Sequence, residues 1–80
     1  MALIRFYAAA RAATGVSEAR LDVSNLGELQ RELIAQFPAI APVLTKCSYL
    51  INEQSQRDVE VKILPGDIVD VLPPFAGGSR

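Results

Sequence analysis

Apolar side chains recur along this chain in several distinct rhythms. Over residues 2–7 they occupy both parities, with Ile4 and Phe6 on one side and Leu3 and Tyr7 flanking Arg5 on the other. That pattern predicts a strand with two apolar faces, and hence a central place in a sheet. Residues 8–13 turn helical in composition for a turn or two and end at Thr14-Gly15. Residues 18–23 then alternate strictly, Ala19, Leu21 and Val23 against Glu18, Arg20 and Asp22, which predicts a half-exposed strand. The Thr14-Gly15 turn makes these first two strands a hairpin.

The central segment changes period. Leu26, Leu29, Leu33, Ile34 and Phe37 fall three and four apart, an apolar helical stripe opposite Glu28, Gln30, Arg31 and Glu32. Asn25 followed three residues later by Glu28 predicts a capping box at its start, and Pro38 ends it at Phe37. Residues 39–44, with Pro42 inside, read as an irregular or short helical bridge. Residues 48–52 predict a third strand and residues 53–56 a polar turn. Val59, Val61 and Ile63 alternate with Glu60 and Lys62 as a fourth strand, and Pro65-Gly66-Asp67 marks another turn. Residues 68–72 form a nearly all-apolar fifth strand interior to the sheet, after which Pro73 and Pro74, lacking amide donors, leave the ladder. The order predicts an α+β fold of the ubiquitin-like β-grasp type. One main helix covers one face of a mixed five-stranded sheet whose first and last strands are central and parallel. The other face has no helix to cover it.

Length, charge and composition narrow the chemistry. Eighty residues make one domain, expected over residues 1–74, with residues 75–80 a flexible Gly-Gly tail followed by Ser79-Arg80. Eight basic residues against nine acidic ones leave a net charge of −1, which gives no electrostatic reason to expect nucleic acid or a membrane surface. A single cysteine cannot form an internal disulfide, and no apolar run approaches the roughly 18 residues of a membrane span, so a cytoplasmic protein is expected. The chain has no histidine, which removes histidine-based catalytic triads, histidine metal sites and histidine switches. One cysteine cannot build a cysteine-rich zinc site, and no phosphate-cradling glycine loop occurs. No catalytic residue, metal or bound cofactor is expected. Asp67 and Asp70 read as solvated strand-end acids, Lys46 and Lys62 as solvated charges, and Cys47 as a small filler.

What remains is PPFAGG at residues 73–78. The glycines follow directly on a core strand and a rigid Pro-Pro, so the tail is held away from the domain. A tip without Cβ atoms can thread a narrow channel in another protein, and its functional group is a terminal carboxylate. Together with ALIRFYAAAR and its Arg11 and Gly15, the helix over residues 29–37, Ile51-Asn52, Gly66-Asp67 and VLPPFAGG, the ordered set resembles the MoaD family, the small subunits of molybdopterin synthase, among the ubiquitin-fold sulfur carriers.

The resemblance implies a carrier, not an enzyme. Gly78 would be the point of attachment: a ubiquitin-activating-enzyme-like adenylyltransferase uses ATP to adenylate its carboxylate, and sulfur from a donor system displaces AMP. The resulting thiocarboxylate enters the large subunit of molybdopterin synthase and donates sulfur to a pterin precursor. Gly77 would be the second channel residue, and Tyr7, Leu72 and Phe75 apolar contacts on the uncovered sheet face and at the tail's base. Ser79-Arg80 departs from the pattern, because Gly78 bears a free carboxylate only once those two residues are gone. A processing protease, an extension unrelated to the native protein and a divergent carrier all fit this departure. The readings left open beside this one are a sulfur carrier for thiamine or another pathway, and a ubiquitin-like modifier or binding domain.

Overall fold

A computed structural model describes residues 1–74 of the chain. Its elements run β1 (Ala2–Phe6), α1 (Ala8–Thr14), β2 (Glu18–Leu21), α2 (Leu26–Gln36), a 3-10 turn (Pro38–Ile40), α3 (Ala41–Leu44), β3 (Ser48–Ile51), β4 (Gln54–Gln56) and β5 (Ile68–Leu72). The five strands form one mixed sheet in the order β2-β1-β5-β3-β4. As expected from their two-sided apolar character, β1 and β5 are central and parallel, with Leu3 opposite Ile68 and Phe6 opposite Val71. β2 lies antiparallel to β1, and β3 antiparallel to β5. Among the described residues no helix is long and apolar enough to cross a membrane.

α2 forms where the leucine spacing places it. Asn25 caps it with an extended backbone, and its Oδ1 accepts from the Glu28 amide at 2.7 Å. The Glu28 carboxylate reaches back to the Ser24 amide at 2.6 Å, one residue before the cap, so the box closes with a shifted partner. Leu26, Leu29 and Leu33 are fully buried against Ile4, Phe6, Val69 and Val71 on the covered side of the sheet. Phe37 meets Phe6 edge-on, with ring centroids 5.9 Å apart, a geometry aromatic quadrupoles favour. Ile34 departs from the predicted stripe: it is 41% exposed and lines a groove of 430 Å³ with Gln30, Tyr49 and Arg57. At 100° per residue it sits one step around the helix from Leu33, beyond the sheet's reach.

The fourth strand is not where alternation placed it. Asn52 and Glu53, at φ of +51° and +71°, make a two-residue turn with both central residues left-handed, whose twist matches a hairpin. That turn sends Gln54–Gln56 back along β3, with Gln54 opposite Ile51 and Gln56 opposite Tyr49. The expected turn at residues 53–56 is therefore mostly the edge strand itself. Val59 lies instead in a turn closed by the Val61 amide on Asp58 O at 3.0 Å, and in the stretch from Val61 to Ile63 the ladder is reduced to one bridge, Lys62 with Asn25. The carbonyls here serve α2: Val61 O accepts from Leu26 N at 3.1 Å and Val59 O from Gly27 N at 2.8 Å, satisfying amides that the helix start leaves unpaired. The approach is close. A Cβ on Gly27 would stand 3.3 Å from Val59 O, a tight contact that glycine avoids.

Candidate functional site

The uncovered face of the sheet is built by strand parity. Alternation turns Ala2, Ile4 and Phe6 toward the helices, so Leu3, Arg5 and Tyr7 come to the opposite side. The parallel register sets Ile68 beside Leu3 and Asp70 beside Arg5, with Leu72 next along β5. β3 adds Leu50 opposite Asp70 and Ser48 opposite Leu72. Leu3, Leu50, Ile68 and Leu72 are all half-buried with no helix over them. An apolar patch thus surrounds one ion pair, an arrangement suited to docking.

That ion pair is the part the sequence reading missed. Asp70 is not a solvated strand-end acid: it lies mid-strand and is 7% exposed. Arg5 Nε donates to its Oδ1 at 2.6 Å and Arg5 Nη2 to its Oδ2 at 3.1 Å, a bidentate fork. The Tyr7 hydroxyl donates more loosely to Oδ1 at 3.4 Å. Asp70 holds the Arg5 guanidinium above even its ordinary high pKa, chiefly through the hydrogen bond. The signal was available: Arg5 and Asp70 are lone charges of opposite sign in the two apolar strands expected to be neighbours.

Tyr7 and Leu72, expected as partner contacts, stand at one end of this face. Tyr7 is 38% exposed and caps α1 with an extended backbone; the chain then turns sharply through Ala8 at φ +50°. Leu72 ends β5, followed by a buried Pro73 and an exposed Pro74. The structure therefore brings Tyr7, Leu72 and the Pro73-Pro74 exit of β5 together, since Tyr7 follows directly on Phe6, which pairs with Val71. The expected roles of Phe75, Gly77 and Gly78, and the reading of residues 75–80 as a tail, lie outside the described residues.

Asp67 belongs to the other end of the sheet and to its architecture. Leu64, Pro65, Gly66 and Asp67 form a turn closed by the Asp67 amide on Leu64 O at 3.0 Å, with Gly66 at φ +89° where a side chain would be strained. Asp67 Oδ2 accepts from Leu64 N at 2.8 Å, and its Oδ1 accepts from Asn52 Nδ2 at 2.9 Å. The Leu64 amide first, and the Asn52 amide group second, hold its carboxyl below the usual range. Asn52 Oδ1 in turn accepts from Ile68 N at 3.0 Å, stitching the β3–β4 turn to the start of β5.

Cys47 behaves as packing. It is half-buried against the core, its thiol donates to Val43 O at 3.2 Å, and burial pushes its pKa up, the opposite of what a reactive thiolate needs. Among the described residues no group of three or more His, Cys, Asp or Glu side chains could hold a metal ion.

Comparison with known proteins follows the same lines. The sequence model of the ThiS family matches residues 4–78. A molybdopterin synthase sulfur carrier subunit from Aspergillus niger is 34% identical over 80 residues, covering 94% of this chain and 91% of the relative. Another of that name from Chlamydomonas reinhardtii is 28% identical over 79 residues, covering 94% and 95%. Among solved structures, the complex of subunits 1 and 2 of the molybdopterin-converting factor from Helicobacter pylori contains a chain that superposes with a TM-score of 0.74. The two are 21% identical and the match covers 96% of this chain and 97% of that one, a likeness of fold.

Proposed function

Because the chain belongs to the ThiS family, we propose that it is the sulfur-carrier small subunit of a molybdopterin synthase. The observation that carries this reading is the near full-length match to two sulfur carrier subunits of that enzyme. The uncovered face with Tyr7, Leu72 and the root of the tail on one edge supports it, since a carrier needs a docking surface beside its cargo.

In this reading Gly78 becomes the terminal residue once Ser79 and Arg80 are removed, and the chemistry then follows from the poor reactivity of a carboxylate. An adenylyltransferase partner transfers AMP from ATP to the Gly78 carboxylate, releasing pyrophosphate and creating a leaving group. Sulfur from a donor system displaces AMP and leaves a thiocarboxylate. The large subunit takes up the tail, with Gly77 as the second residue in its channel, and the sulfur passes to the pterin precursor. The carrier contributes no catalytic group; Tyr7, Leu72 and Phe75 hold it on the large subunit.

Intact mass spectrometry of the protein from its native cells tests the reading directly. The expected result is a chain ending at Gly78, part of it with one oxygen replaced by sulfur. A chain that ends at Arg80 in every preparation refutes it. The thiocarboxylate form, incubated with the large subunit and pterin precursor, should yield dithiolene product; none would reject the molybdopterin assignment while leaving sulfur carriage intact.

A further inference from the structure

At the end of the open face away from Tyr7 and Leu72 lies a dimple of 270 Å³ lined by Arg5, Asn52, Glu53 and Ile68. Arg5 spends two of its three guanidinium nitrogens on Asp70; among the described residues Nη1 makes no hydrogen bond. Its side chain is 37% exposed, against 9% for Asp70. The fork is therefore fixed on its inner edge and free on its outer one, within a patch otherwise formed by Leu3, Leu50 and Ile68. Covering the patch without giving that edge an acceptor would leave a charged donor buried and unsatisfied, a strongly unfavourable outcome.

The surroundings specify the acceptor. Asp70 faces Arg5 from β5, Glu18 is its cross-strand neighbour on β2, and Glu53 lines the dimple. Three acids around one guanidinium disfavour a fourth negative charge and favour a neutral oxygen. Resting on the proposed function above, we propose that Arg5, fixed by Asp70, determines partner specificity: its outer edge takes a main-chain carbonyl from a segment of the large subunit seated in the dimple. The interface then extends from the tail root at Tyr7 and Leu72 across the sheet to the β3–β4 turn, and a surface lacking an acceptor at that place is rejected.

The test compares wild type with the double variant Arg5→Met/Asp70→Leu, which replaces the pair by apolar groups and leaves no lone buried charge. Replacing a well-ordered pair by apolar groups of similar volume is often neutral or stabilising, and a thermal melt checks that the variant folds. Binding to the large subunit is measured by calorimetry at about 0.05 M and about 0.5 M salt, on the full chain and on the chain ending at Gly78. The expected result is binding at least about tenfold weaker, a melting temperature at or above wild type, and the same salt dependence in both proteins. Arg5→Lys, which keeps the charge but not the fork, should also bind more weakly. Binding by the double variant within about twofold of wild type overturns the inference alone. Loss of salt dependence in the double variant points to a carboxylate partner and overturns the neutral acceptor. Wild type that fails to bind in either form overturns the functional reading and, with it, this inference.

Discussion

Replacing Tyr49 with Phe should remove a loss of stability that alkali imposes on the wild type. Tyr49 lies on β3, 5% exposed, and its hydroxyl donates to Leu44 O at 3.2 Å. Burial disfavours its phenolate and pushes the pKa from 10.0 up to about 12. Because the folded-state pKa is raised, Tyr49's contribution is fully present below the unfolded pKa near 10. It is lost as pH rises toward the folded value, since between the two the unfolded chain releases a proton that the native state retains. At about 1.4 kcal/mol per unit, the loss reaches about 2 kcal/mol by about pH 11.5. Tyr49→Phe forfeits the hydrogen bond, about 1 kcal/mol at neutral pH, but has no phenol to ionise. The two stability curves should therefore cross near pH 11. Urea denaturation followed by far-ultraviolet circular dichroism, at half-unit steps above pH 9, measures both. Parallel curves, with wild type ahead throughout, would refute the argument, because they would mean that the phenol ionises as readily in the fold as outside it.

Two further substitutions probe the turns. Glu53→Gly should raise stability by about 0.5–1 kcal/mol, because glycine carries no Cβ penalty at φ +71°; a thermal melt should rise by a few degrees, and an unchanged or lower midpoint counts against the turn assignment. Asp67→Asn should flatten the acid limb of the stability profile. With its pKa lowered by the Leu64 and Asn52 contacts, Asp67 contributes stability above the ordinary carboxylate range near 3.9 and loses it as pH falls through the lower folded value. Equal acid slopes in wild type and variant would contradict that role.

Much of the architecture was legible because burial and pattern coincide there. The leucines of α2 fall on one stripe because one stripe is all the sheet can cover, and Pro38 stops the helix whatever surrounds it. β1 and β5 betrayed their central place by apolar residues on both parities. The fourth strand misled for a physical reason. Val59, Val61 and Ile63 alternate because Val61 and Ile63 pack inward while Val59 leans on Gly27, but their backbone groups are drawn to the start of α2. Gln54–Gln56 is an edge strand of polar residues, fixed by the Asn52-Glu53 turn, with no hydrophobic signature to announce it. At the face itself, the Arg5–Asp70 pair followed only once the register of two strands more than sixty residues apart was known.

The placement of β5 between β1 and β3 has a mechanical consequence. Any partner that tugs on the chain beyond Pro74 loads β5 along its own axis, and β5 has hydrogen-bonded ladders on both flanks. An edge strand would unzip one bond at a time under such traction. Here two rows must shear together, so the domain resists unravelling most strongly along the axis of its last strand.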